Sequence, residues 1–223
     1  MKLQEYADRE MMAIDLANQL TGELETCLFN HDHASLAVPG GTTPGPIFDT
    51  LSAVHLEWSR VHVMATDERW VPESDARSNA RLIRERLLVG PAAEAQFVGF
   101  YRDGVTPEDA VGEVSATLAP ELPISILLLG MGGDRHVASL FPGVPGLAAA
   151  LSSDATPVVA MRPDNQPEAR MSLSGPVLNG AMSKHLIITG ADKREALESA
   201  LSLPPETAPV QAVLSDMTVH WAE

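Results

Sequence analysis

The chain has 223 residues, 45% of them hydrophobic, and carries 30 Asp and Glu against 15 Lys and Arg, for a formal net charge of −15. That length and apolar content suit one sizeable core rather than a disordered chain. The charge rules against nucleic acid or an anionic membrane as partner, because both are bound through Lys and Arg. No apolar run approaches the ~20 residues that span a bilayer. The first ten residues hold no signal-type apolar core, and the single cysteine, Cys27, cannot form an internal disulfide, so a cytoplasmic protein is expected.

In chain order, residues 3–28 place Leu3, Tyr6, Met11, Ile14, Ala17, Leu20, Leu24 and Leu28 at helical spacing, which predicts one long amphipathic helix with Cys27 as a core thiol. Residues 34–38 read as a strand running into Pro39-Gly-Gly-Thr-Thr-Pro44. Thr43 then Pro44 is a helix start, cap followed by first-turn proline, so 44–51 is expected to be helical. A strand follows at 60–65, a helix at 79–88 capped by Ser78, a strand at 95–100, and a helix from Thr106-Pro107 to about residue 119. Residues 124–129 form the most apolar strand. Further strands are expected at 156–161, 170–173, 184–189 and 218–221, with helices at 176–181 and 191–202. Repeated β–α units without a dividing linker imply a single α/β domain, residues 1–223, with a mostly parallel sheet and helices on both faces.

Four loops that follow strands carry reactive or anion-binding residue types. Gly40, Gly41, Thr42 and Thr43 lie at a helix start, where N–H groups, the helix terminus and two hydroxyls converge. This suits a phosphate cradle, and a tight turn with an N-cap accounts for it equally well. Neither a Gly-Lys-Ser/Thr nor a G-x-G-x-x-G pattern is present here, so no nucleotide cofactor is implied. Asp67, Glu68 and Arg69 leave an apolar strand together, and Arg69 offers a planar fork that matches phosphate oxygens.

In the third loop the apolar run at 124–129 breaks into Gly130-Met-Gly-Gly133 and presents Asp134 and His136. Imidazole titrates near neutrality without help, and a carboxylate two positions away fixes its tautomer. The other six histidines lack this setting: His31, His33, His55 and His220 suit surface or edge roles, while His62 and His185 lie inside strand patterns. No H-E-x-x-H and no paired Cys/His spacing occurs, so no metal site is expected. The fourth set is basic. Arg170 opens Arg-Met-Ser-Leu-Ser174, and Lys193 falls in the first turn of a helix, where a cation opposes the dipole. Such a placement serves either a ligand or surface solvation.

The ordered set resembles the 6-phosphogluconolactonases, within the glucosamine-6-phosphate deaminase/isomerase superfamily. The likeness rests on Pro39-Gly-Gly-Thr-Thr-Pro44, Asp67-Glu-Arg-Trp-Val-Pro72 with Ser78-Asn79, Leu129-Gly-Met-Gly-Gly-Asp-Arg-His-Val-Ala-Ser-Leu-Phe-Pro-Gly143, Arg170-Met-Ser-Leu-Ser174, Thr189-Gly-Ala-Asp-Lys193 and His220-Trp-Ala-Glu223. It implies a three-layer α/β/α, Rossmann-like domain of the NagB/RpiA-like kind and no cofactor. It also implies a small phosphosugar lactone as partner: 6-phospho-D-glucono-1,5-lactone, hydrolysed to 6-phosphogluconate in the pentose phosphate pathway. By position His136 would be the general base and Asp134 its orienting group. Gly40, Gly41, Thr42, Thr43, Asp67, Arg69, Arg170 and Lys193 would hold phosphate and sugar. A monomer or weak homo-oligomer is expected.

One departure stands out. The Asp-Gly-His usual in the family reads Asp134-Arg135-His136 here. Either the backbone differs locally, or Arg135 adds a cation at the pocket mouth. The nearest rival is an aminosugar-phosphate deaminase or isomerase on the same fold. The deaminases use a Glu five positions after the His, where this chain has Phe141. A sugar-phosphate-sensing regulator would need an N-terminal helix-turn-helix, and only one helix fits before residue 34.

Overall fold

The computed structural model describes residues 1–164 and 166–223. It opens with β1 (Lys2–Glu5) and α1 (Arg9–Asn30), followed by β2 (Ala34–Val38), α2 (Gly45–Ser52), β3 (Val61–Ala65), β4 (Asp67–Arg69), α3 (Asn79–Arg86), β5 (Gln96–Val98) and α4 (Pro107–Leu118). Then come β6 (Ile126–Gly130), α5 (Leu147–Leu151), β7 (Val158–Met161), β8 (Arg170–Leu173), α6 (Gly175–Asn179), β9 (Ser183–Thr189), α7 (Ala191–Ala200) and β10 (Thr218–Ala222). The main sheet has seven strands in the order β1-β10-β9-β6-β2-β3-β5, every neighbouring pair parallel.

A parallel sheet needs cover on both faces, and the sequence supplies it. Successive side chains of β6 enter opposite cores. Leu127 and Leu129 pack with Val114, Leu118 and Leu197 of α4 and α7, while Ile126 and Leu128 pack with Leu16, Leu20 and Leu24 of α1. All of these side chains are buried, which at roughly 1.5–3 kcal/mol each makes the two cores the main stabilising force. The helix starts are built as the sequence suggests at two places: Ser78 Oγ accepts from Arg81 N, and Thr106 Oγ1 accepts from Asp109 N.

Three expectations need correction. Residues 2–5 are not helical; they form β1, which pairs with β10 from Lys2↔Thr218 to Glu5↔Trp221. Leu3 matches the helical spacing only by coincidence, and the true start is Asp8, whose side chain accepts from Met11 N. Because β1 covers β10, His220 is no edge residue. It is fully buried, with Nδ1 2.8 Å from the Tyr6 hydroxyl and Nε2 3.0 Å from His185 Nδ1. Finally, the parallel sheet is not alone. β4, β8 and β7 form a separate antiparallel sheet beyond the carboxyl end of β3, joined to it through Thr66, whose N–H donates to Val38 O and whose carbonyl accepts from Leu173 N.

Candidate active site

After the edge strand β1, the chain enters the middle of the sheet at β2, builds outward through β3 to β5, then returns to the other side of β2 with β6 and continues through β9 to β10, which lies beside β1. The reversal lies between β2 and β6. Loops leaving the carboxyl ends of strands that flank such a reversal diverge to opposite faces and open a crevice. A cavity of about 330 Å³ lies there, walled by Gly40, Gly41, Thr42 and Thr43 after β2, Asp67 and Arg69 on β4, Gly132, His136 and Phe141 after β6, Arg170 on β8 and Lys193 on α7. Of the ten site residues that the family resemblance implies, only Asp134 is outside the wall, hydrogen-bonded to His136; Glu68 and Arg135, also singled out from sequence, do not line it.

The segment after β6 is a tight, self-bonded loop. Gly132 N donates to His136 O at 2.9 Å and Arg135 N donates to Gly132 O at 3.0 Å. His136 Nδ1 lies 2.5 Å from Asp134 Oδ1, and that same oxygen accepts from the His136 N–H at 3.2 Å. The hydrogen bond from His136 holds the Asp134 carboxyl below its ordinary pKa, so it is an anion at neutral pH. An anionic acceptor at Nδ1 puts the proton there and leaves Nε2 as the basic nitrogen. Gly132 is required by space: a Cβ would sit 2.1 Å from His136 Nδ1 and 2.5 Å from Asp134 Oδ1.

Arg135 resolves the departure noted above. Its φ is 73°, the left-handed region that suits glycine, so the backbone keeps the shape a glycine would give at a cost of about 1 kcal/mol. Hydrogen bonds at both ends of the residue hold that shape, with Arg135 O accepting from Val210 N at 3.1 Å. The side chain turns to α7, where Nε donates to Ser199 Oγ at 3.0 Å, and does not line the cavity.

The cavity wall is also cationic. Arg69 and Arg170 are direct partners in the β4–β8 pairing. Arg170 is buried, donates from Nη2 to Gln166 Oε1 at 3.0 Å, and has no partner for Nε among the described residues. Burial and the neighbouring Arg69 guanidinium lower its pKa from the ordinary arginine value. Lys193 Nζ donates to Met131 O at 2.8 Å, which ties α7 to the loop that carries His136. A chain of net charge −15 thus concentrates three cations on one small cavity.

The glycine-rich loop after β2 lines the cavity and does not cap the helix through a side chain. The helix cap of α2 is Pro44, with no side-chain cap bond, so neither Thr42 nor Thr43 spends its hydroxyl on the helix end. The loop is pressed against α3, where a Cβ on Gly40 would sit 2.0 Å from Asn79 Oδ1. Asn79 in turn donates to Asp67 O at 2.7 Å. Glu68, buried, accepts from the N–H groups of Arg69, Asn79 and Ala80 and from the Ser78 hydroxyl, locking α3 to β4. Asp67 Oδ2 accepts from Ser139 Oγ at 2.5 Å, which joins the two sides of the cavity.

Sequence reasoning missed Thr66, Gln166 and Ile187 as wall residues, and Thr189 entered only through its motif. Asn79 was noticed only through its motif. Phe141, noted for what it is not, has a place of its own: its ring centroid is 4.3 Å from that of His136.

The family described as glucosamine-6-phosphate isomerases/6-phosphogluconolactonase matches residues 7–221. The chain belongs to this family. A 6-phosphogluconolactonase of Pseudomonas aeruginosa is 40% identical over 98% of this chain and 94% of its own length. One of Caulobacter vibrioides is 35% identical over 100% and 97%. Among solved structures, a 6-phosphogluconolactonase from Shewanella baltica superposes with a TM-score of 0.96 at 30% identity, covering 100% of this chain and 98% of that one. The family fold therefore extends over the whole chain, and none of its helices is long and apolar enough to cross a membrane among the described residues.

Proposed function

We propose that this chain is a 6-phosphogluconolactonase: it hydrolyses 6-phospho-D-glucono-1,5-lactone to 6-phospho-D-gluconate in the oxidative pentose phosphate pathway. The observation that carries the assignment of roles is that His136, bonded to Asp134, lines the same cavity as the paired Arg69 and Arg170. Water bound at His136 Nε2 gives up a proton to that nitrogen as its oxygen attacks the lactone carbonyl. Asp134 holds the imidazole in the required tautomer and balances the imidazolium that forms. Loop N–H groups and Lys193 stabilise the tetrahedral oxyanion. Collapse breaks the bond from the carbonyl carbon to the ring oxygen, and His136 returns its proton to that oxygen. The carboxylic acid formed then ionises, so each turnover releases one proton.

Arg69, Arg170 and the Gly40–Thr43 cradle hold the phosphate, whose binding energy places the ring over His136. Deamination on the same fold is disfavoured by Phe141. Its ring packs on His136 at the position where the deaminases use a carboxylate, and among the described residues Asp67 is the cavity's one acidic wall residue, already engaged by Ser139. The test is proton release by the purified chain on freshly made 6-phosphogluconolactone, against a buffer blank because such lactones hydrolyse spontaneously. Acceleration over the blank supports the reading; ammonia release from glucosamine 6-phosphate without it overturns the reading.

A further inference from the structure

A second cluster of chemistry-bearing side chains lies at the opposite end of the sheet. His33 immediately precedes β2, His62 is on β3, and Glu121 ends the turn that leads toward β6. These strands are adjacent and parallel in the order β6-β2-β3, so the three residues meet at their amino ends, away from the cavity at the carboxyl ends. Positions 33, 62 and 121 are too far apart for any spacing rule to connect them.

Glu121 is buried, and no Lys or Arg pairs with it among the described residues. Two imidazoles face its carboxylate instead. His62 Nδ1 is 3.0 Å from both oxygens and His33 Nε2 is 3.4 Å from Oε2. The two rings stack at 4.5 Å between centroids and 18° between planes, and the three donor atoms lie within 4.8 Å of one another.

We propose that His33 Nε2, His62 Nδ1 and the Glu121 carboxylate bind a divalent transition-metal ion of the zinc class, with water completing the coordination. Ligand bonds of ~2.0–2.1 Å in a tetrahedron put neighbouring donors ~3.3 Å apart. The separations of 3.0 and 3.4 Å fall on either side of that edge. Two imidazole nitrogens with one carboxylate suit zinc or its neighbours, whereas calcium and magnesium take oxygen ligands. Access is present: the His33 side chain is 36% exposed and that of His62 18%, while Glu121 is fixed from below by its own backbone carbonyl, which accepts from Ser35 Oγ at 2.9 Å. The ion cross-ties three neighbouring segments of the central sheet. It binds the folded chain and not the unfolded one, so it stabilises. It takes no part in hydrolysis, because the ligands are at the far end of the strands.

The test uses the full chain after treatment with chelator, titrated with Zn²⁺ by calorimetry and with Co²⁺ by visible absorption, alongside His33→Ala, Glu121→Gln and His136→Ala. One equivalent of metal is expected on the wild-type chain, with the absorption of low-symmetry four- or five-coordinate Co²⁺ and a rise in Tm on adding Zn²⁺. His33→Ala and Glu121→Gln should each weaken binding at least ~10-fold and remove the Tm rise, and His136→Ala should leave both intact. Turnover of His33→Ala should stay within about twofold of wild type, which separates this site from the catalytic one. No binding to the wild-type chain overturns the proposal and leaves a hydrogen-bonded His–Glu–His triad. Binding lost with His136→Ala but kept in His33→Ala, whose half-exposed side chain makes folding failure a poor explanation, overturns it as well.

Discussion

Arg69 on β4 and Arg170 on β8 stand directly opposite each other in an antiparallel pair. Like charges in that relation destabilise a sheet, and Arg170 is buried besides. A local rule broken in the wall of a cavity supports the proposed anion-binding role of this pair. Arg170→Met should therefore raise KM at least ~10-fold with a smaller change in kcat, without lowering the Tm of the free protein. Steady-state kinetics and thermal melts with and without inorganic phosphate check this. The wild-type Tm should rise with phosphate more than that of the variant.

Gly132 and His136 set a second constraint. Because a Cβ at position 132 would lie 2.1 Å from His136 Nδ1, Gly132→Ala must displace the imidazole or the Asp134 carboxylate. A misplacement of ~1 Å costs on the order of 100-fold. The expected result is that loss in kcat with the circular dichroism spectrum unchanged.

Arg135→Gly tests the opposite case. It relieves the left-handed backbone at φ 73° and removes one half-exposed hydrogen bond to Ser199. The two effects offset, so the Tm should not fall. Turnover should stay within about twofold of wild type, since the Arg135 side chain does not line the cavity.

Burial, with His185 beside it, lowers the pKa of His220 from 6.5 to about 4. In that window the unfolded chain binds a proton that the folded chain refuses, so stability is full above pH 6.5 and falls as the pH drops toward 4. The loss from this one group is about 3 kcal/mol at most. Urea unfolding across this range should show a slope that His220→Phe flattens. The variant also loses the bonds to Tyr6 and His185, so its stability is compared as a slope and not as an absolute value.

The side of the cavity that carries His136 and Asp134 was legible because strand-end loops leave a mark on sequence. An apolar run breaks into glycines and then offers Asp134 and His136, while Lys193 opposes a helix dipole, a placement that suits a ligand and surface solvation alike. The remainder depends on tertiary pairing that carries no local signal. β1 holds one apolar residue, Leu3, because an edge strand buries little. β4 and β7 are short, and nothing in their residues says that they pair antiparallel with β8, which is what brings Arg69 to Arg170. Gln166 and Thr189 are ordinary polar residues made part of the wall by the chain's path. His33, His62 and Glu121 meet only because their strands are neighbours.

The most direct test of the catalytic assignment is His136→Ala, read as kcat on 6-phosphogluconolactone over the spontaneous rate together with the Kd for 6-phosphogluconate. Removing the proposed general base should lower kcat at least ~100-fold while the Kd stays within a few-fold, because the phosphate site proposed here, Arg69, Arg170 and the Gly40–Thr43 loop, is left intact. Turnover unchanged in His136→Ala would contradict the assignment of His136 as the base.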